Sequence, residues 1–273
     1  MDETRAFLES VGLPPGDLHE LPDSPKRFPD GAQYRVEIPS VEGPRCLEAV
    51  LEEAERLDVL VHRVSQGSGV FLQTAVVAAT SRGQEQVVQG IEDVLRAAAY
   101  GIRSVLIADL GLLSVFGEMR RVGELPNDMQ AKISVMLPAA NPAAARVLAD
   151  LGATTLNLPT DLSLPQIAAI RAAVDLPLDI YVEAPDNVGG FVRLHEIPEI
   201  IRVAAPVYVK FGLRNAPDVY PAGTHLEATT VALSRERVRR ARLGRELLAR
   251  SGYKPSTSER GAPGLAVPVL AAA

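Results

Sequence analysis

Residues 178–183 read Leu-Asp-Ile-Tyr-Val-Glu, so Leu178, Ile180 and Val182 alternate with Asp179, Tyr181 and Glu183. If the apolar set faces a layer of helices, the other set turns toward an interior. The same alternation sets Tyr208 and Lys210 inward at 207–210, Lys132, Ser134 and Met136 at 132–137, and Arg35 and Glu37 at 34–38. It adds Thr155 and Asn157 at 154–158 and His62 at 58–63. A carboxylate beside a lysine or histidine suits acid–base work on a carbonyl compound. Glu183 would abstract the proton, Lys210 would stabilise the oxyanion, and Glu37 and His62 complete the candidate catalytic set. A desolvated lysine also forms Schiff bases. Asp109 with Glu37, His62 and Glu183 has the donor types for one divalent metal ion. The plainer reading is that these groups pair internally and serve only the fold.

Two loops supply candidate substrate contacts. Residues 185–190 are Pro-Asp-Asn-Val-Gly-Gly, where the glycines let backbone N–H groups approach a ligand, and 212–215 are Gly-Leu-Arg-Asn. Arg214 has the charge and the fork to clamp a carboxylate or phosphate. Asn187 and Asn215 flank it, and Ser134, Asn157 and Tyr181 complete the binding set.

What must hold these residues is a repeat of strand, turn and helix. Apolar strands are expected at 34–38, 58–63, 103–109, 132–137, 154–158, 178–183 and 207–210, with helices between them and a long closing helix at 229–251. Counting 75–79 as another strand gives eight, and the α/β pattern predicts a TIM-like (β/α)8 barrel, whose usual length of ~250 residues suits this chain. The unit at 64–88 is irregular, because a helical crossover does not fit between the strands there. A segment omitted near Thr74 and Ala75 would account for it. Three parts follow: a helix and wrapping arm at 1–33, the barrel at 34–251, and a tail at 252–273 rich in Pro, Gly and Ala. The first helix is expected to cap the barrel bottom and the tail to be loosely attached.

Charge and composition exclude several classes. A net charge of −6 offers no basic footprint for nucleic acid, and the seven arginines from Arg235 to Arg250 read as a solvated helix face. With Cys46 the only cysteine, no disulfide framework or cysteine-held cluster can form within one chain. No apolar run reaches the ~18 residues that span a bilayer, and the acidic start lacks an export signal. A cytoplasmic protein is expected, acting on a small molecule without a nucleic-acid or membrane partner; a homo-oligomer is compatible.

The order of several stretches resembles the U32 peptidase family. They are 101–111 (Gly-Ile-Arg-Ser-Val-Leu-Ile-Ala-Asp-Leu-Gly), Asn141-Pro142, Leu151-Gly-Ala-Thr154, 161–167 (Asp-Leu-Ser-Leu-Pro-Gln-Ile) and Ile180-Tyr-Val-Glu183. The resemblance implies a TIM-like barrel and a hydrolase acting on a small polar or peptide-like substrate. The family also contains iron–sulfur hydroxylases, but here the strand ending at Glu183 runs into Ala184-Pro185-Asp186 instead of a His-Gly and cysteine signature. No iron–sulfur cluster is therefore expected. Lyase or isomerase chemistry through Glu183 and Lys210, or ligand binding without catalysis, are the alternatives.

Overall fold

The structure, a computed structural model, describes residues 2–14, 21–41, 44–67, 80–217, 219 and 223–269. Seven strands appear among them: β1 (Tyr34–Val41), β2 (Arg63–Gly67), β3 (Ser104–Ile107), β4 (Gln130–Ile133), β5 (Thr155–Asn157), β6 (Leu178–Glu183) and β7 (Val207–Phe211). Eight α-helices accompany them: α1 (Asp2–Ser10), α2 (Pro44–Arg56), α3 (Gly83–Ala99), α4 (Leu110–Val122), α5 (Pro142–Asp150), α6 (Leu164–Ala173), α7 (Ile197–Ala204) and α8 (Glu227–Arg250).

All strand pairs are parallel, in the order β2-β1-β7-β6-β5-β4-β3. The first strand lies beside the last, with Tyr34 opposite Val207 and Glu37 opposite Lys210. This is a cyclic order with one break, between β2 and β3. Curvature follows from a side-chain distance. β1 and β4 are four strand spacings apart, ~19 Å on a flat sheet, yet Lys132 Nζ of β4 lies 2.5 Å from Glu37 Oε1 of β1. Only a sheet curled on itself brings them together. The fold is therefore an α/β half-barrel with helices outside it. The strand expected at 75–79 and the break expected near Thr74 and Ala75 lie outside the described residues.

Local sequence explains why these helices form. Asn141 caps α5 by accepting from Ala144 N–H, and Ser163 with Gln166 makes a reciprocal capping box on α6. α7 buries Ile197, Ile200, Ile201, Val203 and Ala204 against the outer face of the sheet. Each large side chain there contributes roughly 1.5–3 kcal/mol. The inner strand faces carry the polar residues, so the apolar core lies between sheet and helices.

Several expected placements differ. β2 starts at Arg63, not Asp58, because its inward positions are polar (Arg63, Ser65) and the apolar run before it is only the lead-in. The turn after α1 meets α5, where Arg146 donates to the Val11 carbonyl. The arm and the tail run along the amino ends of the strands. Ser24 N–H donates to Arg202 O, and Lys26 Nζ donates to the Arg171 and Val174 carbonyls, so the arm follows the carboxyl ends of α6 and α7. The tail bridges Thr257 to Tyr34, passes Gly264 O to Gln130 Nε2 and ends with Val269 N–H on Gly101 O. Gly101 has φ +82°, and a Cβ there would lie 1.8 Å from Val269 O. Far from hanging free, the tail crosses beneath the barrel.

Candidate active site

Alternate inward positions on five strands build one buried network. Glu37 of β1 takes Lys132 Nζ on both oxygens (2.5 Å each), Lys210 Nζ at 3.4 Å and Arg63 Nη1 at 3.3 Å. Asp179 Oδ1 takes Arg63 Nη1 at 3.1 Å and Lys132 Nζ at 3.2 Å. Ser65 Oγ donates to Glu37 at 2.7 Å. Glu37 and Asp179 are fully buried, and Lys132 and Lys210 nearly so. Three cations thus face two carboxylates, an excess of one positive charge in a region where desolvation makes every charge expensive.

That imbalance sets the proton affinities. Burial pulls the Glu37 carboxyl upward, but the charges of Lys132, Lys210 and Arg63 outweigh it and hold the group well below its usual range. Burial pushes Lys132 down to about 8, with Arg63 adding to the effect and Asp179 and Glu37 opposing it. Lys210 goes the other way: burial is overcome by Glu37 and by Tyr181, whose ring centre is 4.2 Å from its Nζ. Of the two interior amines, Lys132 is the one nearer to giving up its proton at neutral pH.

Glu183 does not join this network. Tyr181 pairs with Lys210, but the next pair is Glu183 with Phe211, so a bulge at the end of β6 interrupts the alternation. The Glu183 carboxylate accepts from Arg214 N–H at 3.1 Å and lies 3.3 Å from Arg240 Nε of α8. Among the described residues no ion pair joins it to Lys210, so the acid–base pair expected from alternation is divided between two partners.

The other expected residues scatter. His62 lies at the amino end of β2, opposite the site. Its Nδ1 accepts from Val36 N–H and its Nε2 meets Ser258 O at 2.8 Å, and burial lowers its pKa, as a neutral, fully bonded ring requires. Asp109 caps α4, accepting from Leu112 N–H and Ser81 N–H. With Glu37 held by lysines and Glu183 by arginine, the proposed metal set does not converge. Among the described residues no three such donors form a cluster. Arg214 and Asn215 both serve Asp186, through Nε at 3.4 Å and N–H at 2.6 Å. Asn187 is exposed beside them, and Ser134 Oγ accepts from Met136 N–H.

Asp179, Lys132, Arg63 and Arg237 were absent from the candidate set. Alternation had already turned Asp179 and Lys132 inward, whereas Arg63 was hidden by the early start given to its strand. Arg237 left no signal, being one arginine of many on α8. Most of the others dock on α2: Arg235 on Glu52, Arg239 on Glu53, and Arg242 and Arg245 on the turn at Leu57 and Asp58. The helix face expected to be solvated is thus largely an ion-paired seam. Arg237 lies within electrostatic reach of Tyr181 and Cys46, and its Nε and Nη1 have no hydrogen-bond partner among the described residues. Thr155 Oγ1, Asn157 Oδ1 and Asp179 Oδ2 are likewise buried without a partner among the described residues. Each such atom costs about 1–3 kcal/mol unless something bonds to it.

The model of peptidase family U32 matches residues 45–184, just over half of the 273. The chain belongs to peptidase family U32. The matched region holds Arg63, Lys132, Asn157 and Asp179, and it ends one residue after β6, where the chain turns into Ala184-Pro185-Asp186. This U32 barrel draws Glu37, Lys210 and Arg237 from outside that region. Proteins of curated function give no match. Among solved structures the U32 chain is similar to the YdjI aldolase of Escherichia coli K12, at 16% identity over 79% of this chain and 91% of that one, with a TM-score of 0.45. It is also similar to a Coccidioides immitis protein assigned as a fructose-1,6-biphosphate aldolase, at 12% identity over 81% and 93%, with a TM-score of 0.49. No helix among the described residues is long and apolar enough to cross a membrane.

Proposed function

We propose that this U32 barrel is an enzyme that binds a small carboxylated or phosphorylated carbonyl compound at the carboxyl ends of its strands and performs lyase or isomerase chemistry on it. The observation that carries this reading is the excess of buried positive charge: three cations against two carboxylates, with Arg237 adding a further cation within electrostatic reach of Tyr181. An anionic substrate neutralises that excess. Lys132, pushed down to about 8, is the amine suited to add to a carbonyl. Addition followed by loss of water gives an iminium, which accepts the electron pair of a neighbouring bond: a C–C bond, as the other fragment leaves as a second carbonyl compound and its hydroxyl proton passes to solvent, or a C–H bond, as its proton passes to solvent. Lys210 stays charged and steadies the oxygen.

Borohydride reduction in the presence of small oxo acids tests this. Wild type and Lys210→Met should be labelled and Lys132→Met should not; equal labelling of all three, or of none, sinks it. Family membership favours a second reading, hydrolysis of a peptide-like substrate. Release of new amino termini from gelatin or short peptides, lost in Glu183→Gln, would favour it over the first.

A further inference from the structure

Thr155 Oγ1, Asn157 Oδ1 and Asp179 Oδ2 form one patch of buried oxygens with no hydrogen-bond partner among the described residues. Their residues are 3%, 3% and 0% exposed. Thr155 and Asn157 are alternate residues on the inward face of β5, and Asn157 stands opposite Asp179 in register. Lys132 Nζ and Arg63 Nη1 are both committed to the other oxygen of Asp179. Two residues further along β6, about 6.6 Å away, Tyr181 occupies the same face, and Arg237 brings two unpartnered N–H donors within electrostatic reach of it. The open acceptors thus share this face with Tyr181, and a cation lies within electrostatic reach.

We infer that this inner face takes a short hydroxylated carboxylic acid, its carboxylate at Arg237 and its hydroxyl groups donating to Thr155 Oγ1, Asn157 Oδ1 and Asp179 Oδ2. This rests on the reading of the opening as a site for a small anionic molecule and adds the class of that molecule. Hydroxyl is preferred to ammonium as the donor for an electrostatic reason. The surroundings already carry one excess positive charge, so a second cation would be repelled, while a neutral O–H satisfies the same oxygens. Tyr181, two residues along the same face, has its ring engaged by Lys210.

Calorimetric titration with D-gluconate, D-galactonate and hexanoate tests the inference, since hexanoate keeps the carboxylate and removes every hydroxyl. Wild type should bind one of the aldonates roughly ten-fold more tightly than hexanoate, the size expected for one or two hydrogen bonds to buried groups. Thr155→Val and Asn157→Leu should abolish most of that preference, keep hexanoate binding and melt at or above the wild-type temperature. Arg237→Met should weaken aldonate and hexanoate alike. Equal binding of aldonates and hexanoate by wild type overturns the hydroxyl patch, which then holds only water, and leaves the anion site standing. No binding of any of the three by wild type overturns both. A drop in melting temperature in Thr155→Val and Asn157→Leu, with preference unchanged, assigns the oxygens to the fold and also overturns the inference.

Discussion

Arg35 is a buried arginine and Arg237 a half-buried one, and the two are treated differently. At the amino ends of the strands, every nitrogen of Arg35 is occupied: Nε by Ser258 Oγ, Nη1 by Tyr208 OH and Nη2 by Pro263 O, with the Phe28 ring 4.0 Å from the guanidinium. Arg237 leaves Nε and Nη1 with no hydrogen-bond partner among the described residues, and Asn157 and Asp179 leave oxygens open. A fold gains nothing from unpaired buried polar atoms, so the fully bonded Arg35 reads as structure and the open Arg237 as a place for something else, although Arg103 Nε and Arg171 Nε near the amino ends are also without a hydrogen-bond partner among the described residues. Between them the Glu37 network belongs to both, since it joins the strands and sets the charge of the opening.

Substitutions can break this contrast or sharpen it. The largest effect is expected at Glu37→Gln, which strands Lys132, Lys210 and Arg63 with one carboxylate between them. It should lose about 3–5 kcal/mol in urea unfolding, and a loss near zero would mean the network is dispensable. Arg35→Leu should follow with about 2–3 kcal/mol, because it unpairs three acceptors at once. Faster proteolysis of the tail should accompany it. Arg237→Leu should change stability by less than about 0.5 kcal/mol or raise it, having no bond to lose. If Arg237→Leu and Arg35→Leu cost the same, the contrast between the two fails.

Lys132 gives the comparison a pH axis. Its pKa is about 8 in the folded chain and 10.5 when free. Between those values the unfolded chain binds more protons, so its contribution to stability rises with pH across that window. The stability of wild type relative to Lys132→Met should therefore increase by roughly 2 kcal/mol from pH 7.5 to 9.5, and a flat difference would place the proton elsewhere. Glu37 has the opposite window. Its pKa is depressed below 4.5, so its contribution is complete above that value and is lost as pH falls through the folded one. Gly101→Ala should cost about 1 kcal/mol from the φ of +82°, less than Arg35→Leu and more than Arg237→Leu. Its clearer sign should be release of Val269, seen as faster amide exchange there.

How much was legible depends on the range of the interaction that decided each feature. Alternation in Leu178–Glu183 and Val207–Phe211 and the caps at Asn141 and Ser163 are local, and they place the strands, the helices and the inward direction of Asp179, Tyr181, Lys132 and Lys210. Local pattern failed where a neighbour intervened. A bulge against β7 sent Glu183 to Arg240, the polar interior shifted β2 onto Arg63, and the tail locked His62 at the amino end of β2. Arg237 was invisible because nothing in a run of arginines says which one is left open.

The sequence by itself determined a parallel α/β chain with a polar inner face, since periodicity and capping act within a few residues. Only the tertiary structure decided which acids met which bases, because Glu37 and Lys132 are 95 residues apart and their 2.5 Å contact exists only once the sheet has curled. The same holds for the orphaned atoms at the opening: an atom lacks a partner only relative to everything folded around it.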